Sequence, residues 1–280
     1  MDIPDFLLEL GKTAPEHQTW LETLPFHVQQ AKEKWTLTLG EPYIENASCS
    51  YVVPCKTAEG REAVLKLGLP HEEALHEIDG LRVLNGDPTV YLIDFDRNMN
   101  AMLLEKCVPG TQLSVLPEEQ QDEVFGNLLP HFWKAPVPKG LFRSITSKFA
   151  LEEQEGLNHF PDPELAKTGI RLKYQLSEAS HQEVLLATDL HAGNVLKAER
   201  KNWLAIDIKP YLGDRAYDLT QHLLNCKERL RNKPEMTIRR VAALAGVSPM
   251  RLRDWTFARL ASESNGKHQN LAVKIREISF

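Results

Sequence analysis

The sequence predicts an α+β protein in two lobes, an N-terminal lobe on a small antiparallel sheet and a mainly helical C-terminal lobe, with a cleft between them. Three observations predict it. Between Cys49 and Glu105, short β-branched and apolar runs alternate with turn residues and are interrupted by one helical period. From Pro117 to about residue 180, and again from Tyr217 onward, apolar residues recur at helical spacing. Between those tracts, the apolar runs Val184–Leu186 and Trp203–Ile206 bracket a polar loop rich in Asp, His and Asn.

Residues 2 to about 39 read as helices with breaks. Phe6, Leu7 and Leu10 form one stripe and Trp20, Leu21 and Leu24 another, and Pro25 is expected to interrupt the second. The runs CSYVVPC (49–55) and EAVLKLGL (62–69) read as a hairpin around the turn TAEG. His71 to Leu84 carries Leu75, Ile78, Leu81 and Leu84 at helical spacing, and Thr89–Phe95 and Asn100–Glu105 read as two further strands. KCVPGTQL (106–113) reads as a linker with a Pro-Gly turn. The proline-rich KAPVPKG (134–140) breaks the helical tract that follows.

A chain of 280 residues can bury a sizeable core. Its net charge of −6 gives no general reason to expect nucleic acid as a partner and weakly suits a cationic small molecule. Four scattered cysteines, with no C-x-x-C pair, are expected to be reduced thiols. The start MDIPDFLLELGK lacks a basic opening and a long apolar run, so it is not expected to act as a signal peptide. No stretch approaches the ~18 apolar residues that span a bilayer. The expectation is a soluble, cytoplasmic protein with no membrane partner.

Asp189 and Asn194 are spaced Asp-x-x-x-x-Asn, and thirteen residues later Asp207 ends the second apolar run. That is the layout of a kinase catalytic loop followed by a metal-binding aspartate. Asp189 would orient the acceptor hydroxyl and take its proton late in transfer. Asn194 and Asp207 would offer oxygen to Mg²⁺, a hard cation. Lys66, near the end of a predicted strand, is placed to reach phosphates, with Glu77 (preferred to Glu73) as its counter-charge. The small polar loop 46–50, with Ser48 and Ser50, would touch phosphate, and Glu105 to Cys107 would lie along the adenine edge, with Met102 and Leu103 packed nearby. Taken singly, each residue is also what an ordinary turn, strand end or surface lysine would show. The three oxygen donors downstream of such a lysine favour phosphoryl transfer from ATP. His191 would line the acceptor site or hydrogen-bond the loop backbone, the second being favoured. Asp214 and Asp218, in GDRAYD, would cap a helix, and Asp218 is also expected to brace the catalytic loop.

The stretches AVLKL (63–67), LLEKCVPGTQL (103–113), TDLHAGNVL (188–196), WLAIDIKPYLGD (203–214) and YDLTQHLLNC (217–226) resemble the aminoglycoside phosphotransferases, most of all their streptomycin 6-kinase and hydroxyurea phosphotransferase branch. The resemblance covers about residues 45 to 265; the first forty residues contribute little. It implies a protein-kinase-like bilobal fold, ATP with Mg²⁺, and phosphorylation of a hydroxyl on a small, often cationic antibiotic. On this chain it makes Asp189 the base, Asn194 and Asp207 the metal ligands and Lys66 the phosphate lysine. Residues 1–106 would hold the N-terminal helices and the nucleotide-binding lobe, and 107–280 the catalytic and substrate-binding lobe. Ala187 stands where the wider family has a histidine, mainly a backbone brace, and Ile208 stands where proline is more familiar. Streptomycin 6-O-phosphorylation, conferring resistance, is the leading reading; hydroxyurea or a metabolite such as an amino alcohol is the alternative. The guanidinium groups of streptomycin would suit carboxylates. The candidates are Asp214, Glu228 and Glu263, with Trp255 as a stacking surface and His191 nearby.

The rival class is a DNA-binding regulator. MTIRRVAALAGVSPMRLRDW (236–255) resembles the helix-turn-helix of lac-type repressors, and Thr237 to Arg259 carries five arginines against one aspartate. The same letters describe any tight two-helix connection, with Gly246 ending one helix and Ser248-Pro249 starting the next. The kinase reading is therefore preferred.

Overall fold

The computed structural model describes residues 3–44, 49–69, 76–154, 156–157, 159–180 and 182–280. The chain divides into two compact units: residues 1–111 with 196–206, and residues 112–195 with 207–280.

The first unit opens with α1 (Asp5–Gly11) and α2 (Pro15–Lys34). The strands β1 (Thr38–Leu39), β2 (Ser50–Lys56) and β3 (Glu62–Gly68) come next. Then come α3 (Glu77–Leu84), β4 (Leu92–Asp96) and β5 (Ala101–Glu105). The five strands form one antiparallel sheet in the order β1-β2-β3-β5-β4. The 57–61 turn of the β2–β3 hairpin is closed by Thr57 N–H to Arg61 O at 3.0 Å, with Gly60 at φ +81°. A strand alternates its side chains between two faces. Accordingly Tyr51, Val53 and Cys55 of β2, Ala63, Leu65 and Leu67 of β3, and Ala101 and Leu103 of β5 share one core. Leu7 of α1 and Trp20, Leu24, Val28 and Ala31 of α2 cover it. The same alternation sends Lys66 to the other face, beside α3.

The N-terminal helices thus supply the layer that buries one face of the sheet. One expectation is corrected here: α2 runs through Pro25 without a break. A proline inside a helix costs about 3 kcal/mol, but this one lies on the exposed face, where the carbonyl it leaves unbonded can meet water. The opposite face buries Trp20, Leu24 and Val28, and each fully buried large apolar side chain contributes roughly 1.5–3 kcal/mol. Of the helix expected over 71–84, α3 accounts for the last part; Glu73 and the rest of 70–75 lie outside the described residues.

The second unit contains α4 (Glu118–Trp133), α5 (Thr146–Gln154) and α6 (Pro163–Glu178). After them come β6 (Val184–Leu186), β7 (Val195–Lys197), β8 (Trp203–Ala205) and β9 (Tyr211–Gly213). The helices α7 (Arg215–Asn225), α8 (Lys227–Asn232), α9 (Pro234–Ala245), α10 (Pro249–Ser262) and α11 (Gln269–Arg276) end the chain. β6 pairs with β9 in this unit, while β7 and β8 form a ribbon whose residues 196–206 belong to the first unit.

α10 is the central helix of the unit, buried without a break from Trp255 to Ser262. It packs so closely on α6 that a Cβ on Gly169 would lie 2.7 Å from the Ala258 carbonyl oxygen. The connection from α9 follows its cap residues: Gly246 is left-handed at φ +67°, and the Ser248 side chain accepts from Arg251 N–H. Burial of α10 is what overturns the DNA-binding reading, because a recognition helix needs a free face for the groove. The five arginines of the motif are also engaged: Arg239 with Glu235, Arg240 with Asp122 and Glu123, Arg251 with Asp214, Arg253 with Asp254, and Arg259 with Glu263.

The α6–α10 contact yields a stability prediction. Gly169→Val should destabilise the fold by about 1–3 kcal/mol, the cost of overpacking a close helix contact. Urea denaturation of the variant against the wild type measures it, and an unchanged midpoint would refute the tight contact.

Candidate active site

In the first unit, β3 presents Lys66 on the face away from α1 and α2, where the Glu77 carboxylate of α3 accepts both bonds of its ammonium, at 2.7 and 2.8 Å. Both side chains are almost fully buried. The pair expected from strand period and helix phase is therefore formed, and it fixes the ammonium in place. Removing one partner would strand a buried charge, at a cost of about 3–5 kcal/mol.

Ser50 is buried at the start of β2, opposite Gly68, and Ser48 lies outside the described residues. Glu105 ends β5, and its carboxylate is held by Arg200 at 2.8 and 2.9 Å and by Tyr91 N–H at 2.9 Å. Its side chain thus staples the β7–β8 ribbon to the sheet of the same unit. Cys107 follows, nearly buried, and burial pushes its thiol up to about 12, an inert thiol at neutral pH. Among the described residues, the Cys107 N–H and C=O make no hydrogen bond to another backbone group.

The second unit carries the loop that follows β6. Ala187 leads into Thr188, which adopts a left-handed φ of +51°, and later Asp207 does the same at +53°. Asp tolerates that region, but for a β-branched residue it is strained by roughly 1–2 kcal/mol. The surroundings impose it. From the first turn of α7 the buried Asp218 carboxylate accepts Ala187 N–H at 3.0 and 3.1 Å, Thr188 N–H at 2.8 Å and Trp133 Nε1–H at 3.2 Å. Burial pushes the Asp218 carboxyl up to about 6, with the Ala187, Thr188 and Trp133 donors pulling it back. Asp218 is the loop brace that the sequence suggested. Ala187, fully buried, works through its backbone: its carbonyl accepts Asp189 N–H at 2.7 Å and Lys209 N–H at 3.1 Å. Peptide groups and Asp218 thus brace this loop. Ile208 is buried.

Asp189 is half-buried, and both of its carboxylate oxygens are engaged. Lys209 Nζ lies 2.7 Å from Oδ2, and Gln221 Nε2, from α7, donates to Oδ1 at 2.9 Å. Behind Gln221 stands Arg259, which donates to Gln221 Oε1 at 2.9 Å and to Thr220 Oγ1 at 2.8 Å. Asn194 ends a short 3₁₀ turn and donates through Nδ2 to the Asp189 carbonyl at 3.2 Å. That contact leaves its Oδ1 as the atom able to bind a cation. Among the described residues, no group of three or more His, Cys, Asp or Glu side chains is placed to hold a metal. An Asn and an Asp oxygen are nonetheless hard donors of the kind that would suit a cation taking its remaining ligands from phosphate and water.

The substrate candidates fare differently. His191 Nδ1 accepts Gly193 N–H at 3.1 Å, the local loop role favoured for it, so that nitrogen is not offered to a ligand. Trp255 is corrected: it is fully buried, with Nε1–H donating to Asp214 at 2.7 Å, and has no face for stacking. Asp214 takes the helix-cap role offered for it and not the substrate role: it is buried, accepts Ala216 N–H at 3.0 Å, and is paired with Arg251. Glu263 is the second correction, since its carboxylate takes Arg259 at 2.9 and 3.0 Å and Lys173 at 2.8 Å. Burial alone would push that carboxyl up, but Arg259 and Lys173 hold it well below the usual range. Glu228 stands on α8 as an exposed residue paired with Arg231 at 2.7 Å. Sequence reasoning missed Lys209, Gln221 and Arg259. The available signal was Gln221 three positions after Asp218, on the same face of one helix.

The second unit carries a braced loop with the Asp189 carboxylate and Asn194, and the first unit a lysine held by a glutamate. Comparison with known proteins gives the family. Residues 34–270 match the family described as aminoglycoside/hydroxyurea antibiotic resistance kinase. The chain is 33% identical over 260 residues to a streptomycin 6-kinase of Streptomyces glaucescens, covering 88% of this chain and 83% of that one. It is 32% identical over 279 residues to a hydroxyurea phosphotransferase of Kitasatospora aureofaciens, covering 93% and 78%. The fold is similar to that of choline kinase LicA from Streptococcus pneumoniae, with TM-score 0.64 and 14% identity over 90% of this chain and 92% of that one. The chain belongs to the aminoglycoside/hydroxyurea antibiotic resistance kinases and is a small-molecule phosphotransferase of protein-kinase-like fold. No helix among the described residues is long and apolar enough to cross a membrane.

The doubly paired Glu263 predicts a pH dependence. Its folded carboxyl is held below the unfolded value, so its contribution is present above the ordinary carboxylate range and is lost as pH falls below about 4.5. Glu263→Gln should cost about 3–5 kcal/mol at pH 7, because Arg259 and Lys173 lose their shared partner. Its stability should also fall less steeply than the wild type's between pH 5 and pH 3. Parallel urea titrations at each pH check both statements.

Proposed function

We propose that this chain transfers the γ-phosphoryl group of ATP, with Mg²⁺, to the 6-hydroxyl of streptomycin in the cytoplasm and so confers resistance. The observation that carries the reaction is the Asp189 carboxylate, held on a braced loop with Asn194 and Asp207 in the same unit. The acceptor rests on the 33% identity to a protein named for that reaction, spread over most of both chains.

In this reading residues 1–106 hold the nucleotide and residues 107–280 carry catalysis and the acceptor. Lys66, kept in place by Glu77, meets the phosphates as a point charge. The Cys107 N–H and C=O, two residues after Glu105, meet the adenine edge, and Ser50, buried at the start of β2, would touch phosphate. The Asn194 Oδ1 and Asp207 carboxylate would hold Mg²⁺, which when bound neutralises phosphate charge. Asp189 accepts a hydrogen bond from the acceptor hydroxyl and aims its oxygen at the γ-phosphorus. As the new P–O bond forms, the bond to the bridging oxygen of ADP breaks, and the hydroxyl proton passes to Asp189. A carboxylate offers about four lone-pair positions, so the bonds from Lys209 and Gln221 leave room for the acceptor. Hydroxyurea is the second reading, favoured by the 32% identity to a protein named for it over 93% of the chain.

An ADP-release assay with streptomycin, other aminoglycosides, hydroxyurea and amino alcohols tests the acceptor. Streptomycin should be turned over, with the product's phosphorus signal coupled to the proton on carbon 6. Turnover of hydroxyurea with streptomycin inert would replace the first reading by the second, and turnover of neither would overturn both. Asp207→Ala should weaken Mg·ATP binding at least about tenfold, about 1.4 kcal/mol. A Mg²⁺ titration of nucleotide binding unchanged from wild type would remove Asp207 from the metal site.

A further inference from the structure

Resting on the phosphotransferase reading, we infer that Lys209 and Gln221 are positioning residues that clamp the two oxygens of Asp189 and set the direction from which it addresses the acceptor. Lys209 is tied to three consecutive residues of the catalytic loop through three different atoms. Its N–H donates to the Ala187 carbonyl at 3.1 Å, its carbonyl accepts the Thr188 hydroxyl at 2.6 Å, and its ammonium reaches Asp189 Oδ2 at 2.7 Å. A side chain anchored by its own backbone to the loop it serves has little freedom left. Lys209 is therefore a staple between the catalytic loop and the segment that carries Asp207, two residues before it.

Gln221 grips the other oxygen, and its orientation is imposed from behind. An amide side chain has an acceptor end and a donor end. Arg259, whose guanidinium has donors and no acceptor, bonds the Oε1 end at 2.9 Å, so Nε2 faces Asp189 Oδ1 at 2.9 Å. Arg259 is itself held by Glu263 at 2.9 and 3.0 Å, by Thr220 at 2.8 Å, and against the Tyr217 ring 4.8 Å from its centroid. Its burial is nearly complete. Glu263 in turn shares Lys173 with Glu152. A line of side chains thus runs Glu263, Arg259, Gln221, Asp189, ending on the group proposed to meet the acceptor. The arrangement accounts for a buried arginine that packing alone would not call for: it fixes which end of Gln221 the base sees.

A clamp of this kind acts on the transition state more than on nucleotide binding. A reactive group misplaced by about 1 Å can cost about 100-fold in rate. The test compares Lys209→Met, Lys209→Arg, Gln221→Met and Gln221→Glu with the wild type. Initial rates are taken with ATP and whichever of streptomycin and hydroxyurea the wild type turns over, together with thermal melts and crystal structures of the unliganded variants. Gln221→Glu keeps an acceptor for Arg259 and replaces the donor facing Asp189 with a negative oxygen. The expected result is a kcat lowered about 10- to 100-fold in Lys209→Met, Gln221→Met and Gln221→Glu. The KM for ATP should stay within threefold, Lys209→Arg should recover much of the loss, and the Asp189 carboxylate should be rotated or disordered in the crystals. Should Lys209→Met and Gln221→Met both keep kcat within threefold while Asp189→Asn is inactive, the clamp is overturned and the base assignment stands. Should Asp189→Asn itself retain wild-type turnover, the underlying reading fails instead. An unmoved Asp189 in the variant crystals overturns the clamp whatever the acceptor.

Discussion

One buried carboxylate sets the shape of the catalytic loop. Asp218 accepts the N–H groups of Ala187 and Thr188 and the indole of Trp133, and those bonds hold Thr188 in a left-handed conformation that it would otherwise avoid. The rest of the second unit's site hangs on that turn. With Thr188 so placed, its hydroxyl reaches the Lys209 carbonyl, and the next residue, Asp189, comes within reach of Lys209 and Gln221. Local backbone strain of this kind persists only where the surroundings over-determine it, and here a carboxylate, an indole and a lysine backbone do so together. Asp218 is nearly buried and its carboxyl is raised to about 6, so it braces the loop as an anion at neutral pH.

Charge inside the second unit is used for placement more than for stability. Buried ion pairs are weak evidence of stabilisation, because desolvation offsets most of their attraction. What Lys173, Glu263 and Arg259 provide is a fixed point behind Gln221. The first unit uses the same device on a smaller scale, with Glu77 holding Lys66. In both units a carboxylate fixes a cation that would otherwise be free to move, Glu77 holding Lys66 and Glu263 holding Arg259.

How far the sequence reveals this differs by residue. Asp189, Asn194 and Asp207, the residues proposed for the chemistry, stand out in the sequence because phosphoryl transfer would need them at a set spacing along one stretch of chain. The Lys66–Glu77 pair was legible because strand alternation and helix phase predict which side chains share a face. Lys209 and Gln221 were not, since they meet Asp189 across loops for which no local period exists. Trp255 and Glu263 were misread for one physical reason. α10 carries Arg251, Arg253 and Arg259 among its apolar residues and so reads as half-exposed, whereas the structure buries it and neutralises those arginines with carboxylates from its neighbours and its own chain. Pro25 was misread because a breaking residue was weighed without the buried stripe opposite it.

In the proposed reaction Asp218 serves catalysis by holding the loop on which Asp189 acts. Single-turnover phosphoryl transfer, followed by rapid quench, in Asp218→Asn measures this. An amide there replaces one acceptor oxygen with a donor facing the loop's N–H groups. The rate of the chemical step should fall by at least about 100-fold while Mg·ATP still binds within threefold of wild type. A chemical step as fast as the wild type's, in a variant that folds, would contradict it.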